Sequence, residues 1–288
     1  MKEITSNNIS KKILVMGGDG FIGKSLIEFC ISKNIKIKKI PRLSGNKLDL
    51  WANDNSADIL ICLAATLPHR KNFRDSDIFT RNIEVALQTL SVAKASKIKR
   101  IVFISTFLYY GNQKGIADED SPIDERNAYK SSKSISEKIL VKGSNFLDIE
   151  FVSLRPSNVY GSGQNKEMLL SKLILGARKG EIHLNDPNPI RDYLHVKDLC
   201  SAILDVSHIS MQENYLIFNV ASGETFTNLE LAELIQDKIN PDSKIYVKNV
   251  QRENESNDGR MNSKKLRNYT NWKPKISMSE FIANKALN

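Results

Sequence analysis

No stretch of the chain approaches the roughly 18 consecutive apolar residues of a membrane span. The first twelve residues, Met1 to Lys12, are polar and lack the apolar core of a secretory signal. A cytoplasmic protein that does not engage membranes is therefore expected. Cysteine is scarce too: Cys30, Cys62 and Cys200 lie far apart in apolar sequence, which fits reduced core thiols and argues against a disulfide framework or a metal site. Internal repeats, low-complexity linkers and dense basic blocks are missing. The formal net charge of +9 comes largely from scattered lysines without aromatic interleaving, so a phosphate-bearing small molecule suits the chain better than nucleic acid. What is present is ordinary globular composition, 41% hydrophobic and 26% charged over 288 residues. That is enough for one large domain, or one domain plus a smaller lobe.

The most organised stretch is a glycine-rich turn. The apolar run Ile13-Leu14-Val15-Met16 leads into Gly17-Gly18-Asp19-Gly20-Phe21-Ile22-Gly23, and a helix-like stretch, Ser25 to Ser32, follows. The apolar run reads as a buried strand, and a Gly-x-x-Gly-x-x-Gly turn feeding a helix lets backbone N–H groups approach a pyrophosphate with no Cβ in the way. Gly17, Gly20, Phe21, Ile22 and Gly23 are thus candidate dinucleotide contacts. A tight strand-to-helix corner with no ligand would also select glycine.

Ile35 to Ile40 predicts a second strand. A carboxylate at its end would accept from the 2′-hydroxyl of NAD, whereas an arginine would pair with the 2′-phosphate of NADP. The chain offers Pro41, Arg42 and Ser44 and no acid, which tilts the cofactor toward NADP, with a merely solvated Arg42 as the plain alternative. Asp49-Leu50 reads as following a shortened third strand, near the adenine edge; a helix N-cap for Trp51 onward is the alternative. Asp58 to Ala65 predicts a fourth, buried strand whose small end, Leu63-Ala64-Ala65, lets a cofactor pass closely. A long helix over Asp77 to Ser96 and a strand over Ile101 to Ser105 continue an alternation that marks a parallel, doubly wound α/β sheet.

Ser105-Thr106 ends that strand at the carboxyl edge of the sheet, and Tyr129-Lys130-Ser131-Ser132-Lys133 opens a helix predicted to run through Val141. A Tyr and a Lys four apart share one helical face. A fixed ammonium beside a phenol favours the phenolate and lowers a pKa that is about 10 in model peptides. Tyr129 is then expected to exchange a proton with a sugar or alcohol oxygen while Thr106 holds the same oxygen. Taken alone, Tyr-x-x-x-Lys is also what a solvated helix face looks like; its place after a glycine turn, a further strand and a strand-end hydroxyl favours catalysis.

With these motifs in order, the chain resembles the extended short-chain dehydrogenase/reductase family, the NAD(P)-dependent nucleotide-sugar epimerases, dehydratases and reductases. The likeness spans nearly the whole chain, adding Tyr110-Gly111, Arg155-Pro156-Ser157-Asn158-Val159-Tyr160-Gly161, Arg191-Asp192-Tyr193-Leu194-His195-Val196-Lys197-Asp198 and Trp272-Lys273-Pro274 to the motifs above. It implies a Rossmann-type sheet over residues 1–160 and about 190–222, and a smaller mixed α/β substrate lobe over about 161–189 and 223–288. It implies Thr106, Tyr129 and Lys133 as the catalytic set, with Lys133 also bonding the nicotinamide ribose. Pro156 and Val159 would lie near the nicotinamide, and Asn158, Arg191 and, more loosely, Arg252 would hold the substrate diphosphate. Without the resemblance, Arg191 beside Asp192 reads as a local ion pair and Asn158 as a turn residue. His195 reads as structural. A homodimer built on the two long helices is a further implication.

Departures from the family pattern narrow the reaction. Related 4,6-dehydratases carry an Asp-Glu pair after the strand-end threonine, and the GDP-fucose synthase type carries a cysteine there; this chain has Phe107 and Leu108. Dehydration and epimerisation beside the ketone are therefore disfavoured. The late Asp-x-Ser-Lys pattern stands as Asn262-Ser263-Lys264, and Asn271 replaces the glycine expected before Trp272. The leading expectation is an NAD(P)-dependent oxidoreductase acting at C4 of a nucleotide-diphosphate sugar, of the 4-keto-6-deoxy-sugar reductase type. The alternatives are an NAD-dependent 4-epimerase of the UDP-glucose type and, from another class, a non-catalytic dinucleotide sensor.

Overall fold

The computed structural model describes residues 11–68, 73–111, 115–248, 250 and 258–286. Strand and helix alternate from the start: β1 (Ile13–Met16), α1 (Phe21–Ser32), β2 (Ile37–Lys39), α2 (Asn46–Asn53), β3 (Ile59–Cys62), α3 (Asp75–Ala95), β4 (Arg100–Ile104), α4 (Ala128–Phe146) and β5 (Glu150–Pro156). The chain continues with β6 (Asn158–Tyr160), α5 (Leu169–Lys179), β7 (Glu181–Leu184), β8 (Ile190–His195), α6 (Val196–His208) and β9 (Tyr215–Val220). It ends with β10 (Thr225–Thr227), α7 (Asn228–Ile239), β11 (Lys244–Val247), β12 (Asp258–Gly259), α8 (Lys264–Thr270) and α9 (Met278–Ala286). Two compact units result, one of residues 1–109, 124–155 and 200–218, the other of 110–123, 156–199 and 219–288. No described helix is long and apolar enough to cross a membrane.

The first unit is organised on a six-stranded sheet in the order β2-β1-β3-β4-β5-β9, and the pairings among β1 to β5 are parallel. Every residue of β1, β3 and β4 is buried, as expected for strands covered on both faces. Met16 pairs with Cys62 and Cys62 with Phe103, so three neighbouring strands end almost level. The chain order turns back at β1, and in open α/β sheets the crevice outside the strand ends at such a reversal is where ligands bind. Helices α3 and α4 pack closely: a Cβ on Gly143 would fall against the Leu90 side chain, which would have to shift to admit a larger residue.

One expected strand is absent. The residues around Asp49-Leu50 form α2, opened by Gly45 at φ +53 and held by Leu48 and Ala52, which are buried at i, i+4 spacing. Helical periodicity decides this segment, and the strand over Ile59–Cys62 is the third in the chain, not the fourth.

The second unit holds a mixed sheet, β10-β8-β12, with β6 alongside β8, and a separate parallel pair, β7 and β11. Its core joins Tyr160 and Tyr193 to Leu173 of α5, Leu231 and Ile235 of α7 and Met278 and Ile282 of α9. A reciprocal cap between Thr227 and Glu230 fixes the start of α7.

Candidate active site

Close neighbours crowd Gly17, Gly18 and Gly23 in the glycine turn, whereas Gly20 has room. Gly17 has φ +85, and a Cβ there would lie 2.6 Å from the backbone nitrogen of Ala64; on Gly23 it would lie 2.4 Å from the Gly17 carbonyl. The turn therefore rests directly against the Leu63-Ala64-Ala65 strand end, and Leu63 N donates to Met16 O at 2.9 Å. Gly20 differs. Its φ is −74, a Cβ would meet only the Gly17 carbonyl at 3.4 Å, and no side chain caps the first turn of α1. A bare helix N-terminus behind a glycine that packing does not require fits the close approach of a dinucleotide pyrophosphate. Phe21 and Ile22 form that first helical turn.

The residues expected at the adenosine end separate. Arg42, beyond β2, is 86% exposed and lies 3.7 Å from Asp19 in the glycine turn. Asp49 sits on α2, where its carboxylate accepts from Ser91 Oγ at 2.5 Å, and Leu50 is exposed.

Thr106, Tyr129 and Lys133 are all buried in the first unit. Asn127 caps α4 through a hydrogen bond from Lys130 N at 2.8 Å, which fixes the helix start one residue before Tyr129. The Tyr129 phenol lies close enough to Thr106 to feel its side chain, and Thr106 Oγ1 accepts from Leu108 N at 3.2 Å. Lys133 Nζ donates to the Ile104 carbonyl at 2.6 Å and stands 4.0 Å from the centre of the Phe103 ring. One point reverses expectation. Burial pushes the Tyr129 phenol up to about 12, the Thr106 side chain opposing it, because Lys133 is turned to a backbone carbonyl and an aromatic face. Burial likewise brings the Lys133 amine down to about 8, opposed by Cys62 and Glu137.

In the second unit, Asn158 on β6 donates from Nδ2 to the Asp192 carbonyl at 3.1 Å, and Arg191 on β8 donates to the Ile190 carbonyl at 2.9 Å. The Asp192 carboxylate accepts from Ser157 Oγ, Ser222 N and Gly223 N, tying the loop after β9 to β8. Val159 lies within β6, and Pro156 ends β5. His195 Nδ1 accepts from Lys197 N, and its ring packs edge-on to Tyr160 and against Phe281. In the late motif, Ser263 Oγ accepts from Ala221 N and donates to Ala221 O, while Trp272 Nε1 donates to the Asp198 carbonyl. Arg252 lies outside the described residues.

Residues 13–221 match the model of the NAD dependent epimerase/dehydratase family. The chain belongs to that family. Membership agrees with the resemblance drawn from the motifs, and the Rossmann-type fold agrees with it too. A curated relative, the GDP-6-deoxy-D-mannose reductase of Pseudomonas aeruginosa, is 26% identical over 302 residues, covering 95% of each chain. The structure of RMD from Pseudomonas aeruginosa complexed with NADPH has a TM-score of 0.82 at 24% identity, covering 95% of this chain and 97% of that one. The UDP-glucose 4-epimerase of Thermotoga maritima, solved with UDP-glucose, has a TM-score of 0.84 at 22% identity, covering 96% and 97%.

Sequence reasoning missed three supports of this family member's site. Asn82 on α3 bonds Thr66 through both N–H and carbonyl and donates to Ser132 Oγ, joining the end of the β3 segment to α4. Glu137, one turn beyond Lys133, accepts from Tyr109, Ser153 and Arg155. Lys39 reaches Asp19. Only Glu137 left a signal, the repeated four-residue spacing Tyr129, Lys133, Glu137.

Proposed function

We propose that this protein is a nucleotide-sugar reductase using NADPH to reduce a 4-keto sugar, with Tyr129 giving the proton to the C4 oxygen. The end of β2 carries this reading: Lys39 and Arg42 stand beside the glycine turn, two cations for a 2′-phosphate, and β2 itself ends without an acid. The Tyr129 phenol, buried close to Thr106, is placed to pass a proton to or from a sugar oxygen. A GDP-6-deoxy-D-mannose reductase is among the chain's relatives, as are UDP-glucose 4-epimerases.

In this reading Gly17, Gly20, Phe21, Ile22 and Gly23 seat the pyrophosphate, Leu63, Ala64 and Ala65 pass beside the cofactor, and Asp49 and Leu50 serve the adenine edge. Lys39 joins Arg42 as a partner for a 2′-phosphate. Pro156 and Val159 serve the nicotinamide, and Asn158 and Arg191, whose guanidinium fork suits phosphate oxygens, serve the substrate diphosphate. When bound, the nicotinamide supplies the hydride. Thr106 orients the C4 oxygen, Tyr129 protonates it as negative charge develops, and Lys133, held by the Ile104 carbonyl, serves the cofactor ribose. The proton transfer contributes ~10²–10⁴-fold, and tight positioning contributes more. The buried, apolar Phe107 next to Thr106 offers no proton-transfer group for dehydration. Two copies would pair through α3 and α4, where Leu87 and Phe146 are exposed.

A 4-epimerase with resident NAD is the second reading, favoured by the Asp19 carboxylate that offsets Lys39 and Arg42. The nucleotide released from purified protein on denaturation separates the two. NADP, or an exchangeable mixture, is expected; NAD retained in stoichiometric amount overturns the reductase reading.

A further inference from the structure

The turn proposed above to seat a dinucleotide also carries a carboxylate, and both of its oxygens face the end of β2. Lys39 Nζ donates to Asp19 Oδ1 at 2.6 Å, and Arg42 Nε lies 3.7 Å from Oδ2. The shape of the turn favours this contact. A Cβ on Gly18 would fall 2.8 Å from Lys39 Cγ and 3.0 Å from its Cδ, so the lysine stem lies across the bare glycine and delivers its ammonium to Asp19. Its neighbour Lys38 is committed elsewhere, with Nζ donating to Asn55 Oδ1 and resting over the Trp51 ring. Asp19 and Lys39 are each more than two-fifths exposed, so their charges remain within reach of an incoming anion. The hydrogen bond from Lys39 and the nearby charges of Lys39, Arg42 and Lys24 hold the Asp19 carboxyl below its ordinary value, which keeps it ionised.

We propose that Asp19 is a specificity-determining residue, an internal counter-ion that competes with the cofactor's 2′-phosphate for Lys39 and Arg42 and so holds down the preference for NADP over NAD. The inference rests on the dinucleotide seat proposed above. A 2′-hydroxyl makes no demand on the two cations, and NAD can bind with the Lys39–Asp19 pair intact. A 2′-phosphate, carrying about two negative charges, must draw Lys39 and Arg42 away from Asp19 and then tolerate that carboxylate beside it. Removing the carboxylate lifts both penalties for NADP and neither for NAD.

Fluorescence titration of NADPH and NADH into wild type, Asp19→Asn, Lys39→Gln and the double variant tests this. At low salt, Asp19→Asn is expected to bind NADPH about five- to tenfold more tightly, with NADH affinity changed less than about twofold. In about 0.5 M salt the gain should shrink, because the competing charges are solvent-exposed. Adding Lys39→Gln to Asp19→Asn should abolish the gain. Unchanged or weaker NADPH binding by Asp19→Asn overturns the proposal, and so does an equal shift for both cofactors, which would mean altered turn geometry. Wild type that binds neither dinucleotide overturns the seat itself, a separate outcome read without any variant.

Discussion

The carboxylate of Glu137 and the guanidinium of Arg155 meet at 2.6 Å with both side chains almost wholly buried, one helical turn beyond Lys133. Glu137 also accepts from Tyr109, whose hydroxyl is 3.0 Å from Ser105 Oγ, next to Thr106. A buried pair is costly to break from one side, because the remaining charge is left without its partner. Arg155→Met should therefore lower stability in urea by about 3–5 kcal/mol. Replacing Glu137 as well should cost less than the two single changes added together; additive losses would mean the pair is not coupled.

Tyr129→Phe removes the proton donor and leaves the ring that packs the site. Cofactor binding should persist, while turnover falls by about 10² or more. Steady-state rates beside a cofactor titration check both halves, and an unchanged rate would remove Tyr129 from the chemistry.

Lys133 gives activity and stability opposite pH dependences. Its ammonium is lost as pH rises through about 8, so the rate should fall on that alkaline limb. In the unfolded chain the same lysine stays protonated to about pH 10.4. Between those values the unfolded state binds the extra proton, so the Lys133 contribution to stability rises with pH. Lys133→Met should remove the rise in stability, which denaturation midpoints at pH 8 and about pH 10 would reveal.

His195 predicts an acid limb of stability in the second unit. Burial, with Lys197 adding to it, depresses its pKa to about 4. The unfolded histidine takes a proton near pH 6.5. Stability should therefore be lost as pH falls from about 6.5 to about 4, by about 3 kcal/mol from this group. In His195→Phe that dependence should flatten, and an unaltered acid limb would assign it to other groups.

The parts of the fold set by local pattern were legible in the sequence. Apolar runs marked β1, β3 and β4. Asp49-Leu50 was misread because its exposed polar residues hide the buried Leu48 and Ala52 that make the segment a helix. At the site, the spacing of Tyr129 and Lys133 gave their shared face but not the sign of the phenol's shift, which depends on how deeply α4 is buried and on where Lys133 Nζ finds its acceptor. Asn82, Lys39 and the Asp19 contact join residues distant in sequence, and only the folded chain brings them together.

Purified protein mixed with NADPH and a dTDP-linked or GDP-linked 4-keto-6-deoxy sugar tests the central claim most directly, by following loss of reduced cofactor against sugar reduced. Stoichiometric oxidation with formation of the 4-hydroxy sugar is predicted. Interconversion of UDP-glucose and UDP-galactose by resident NAD, with no cofactor added and no NADPH consumed on the keto sugar, would contradict it.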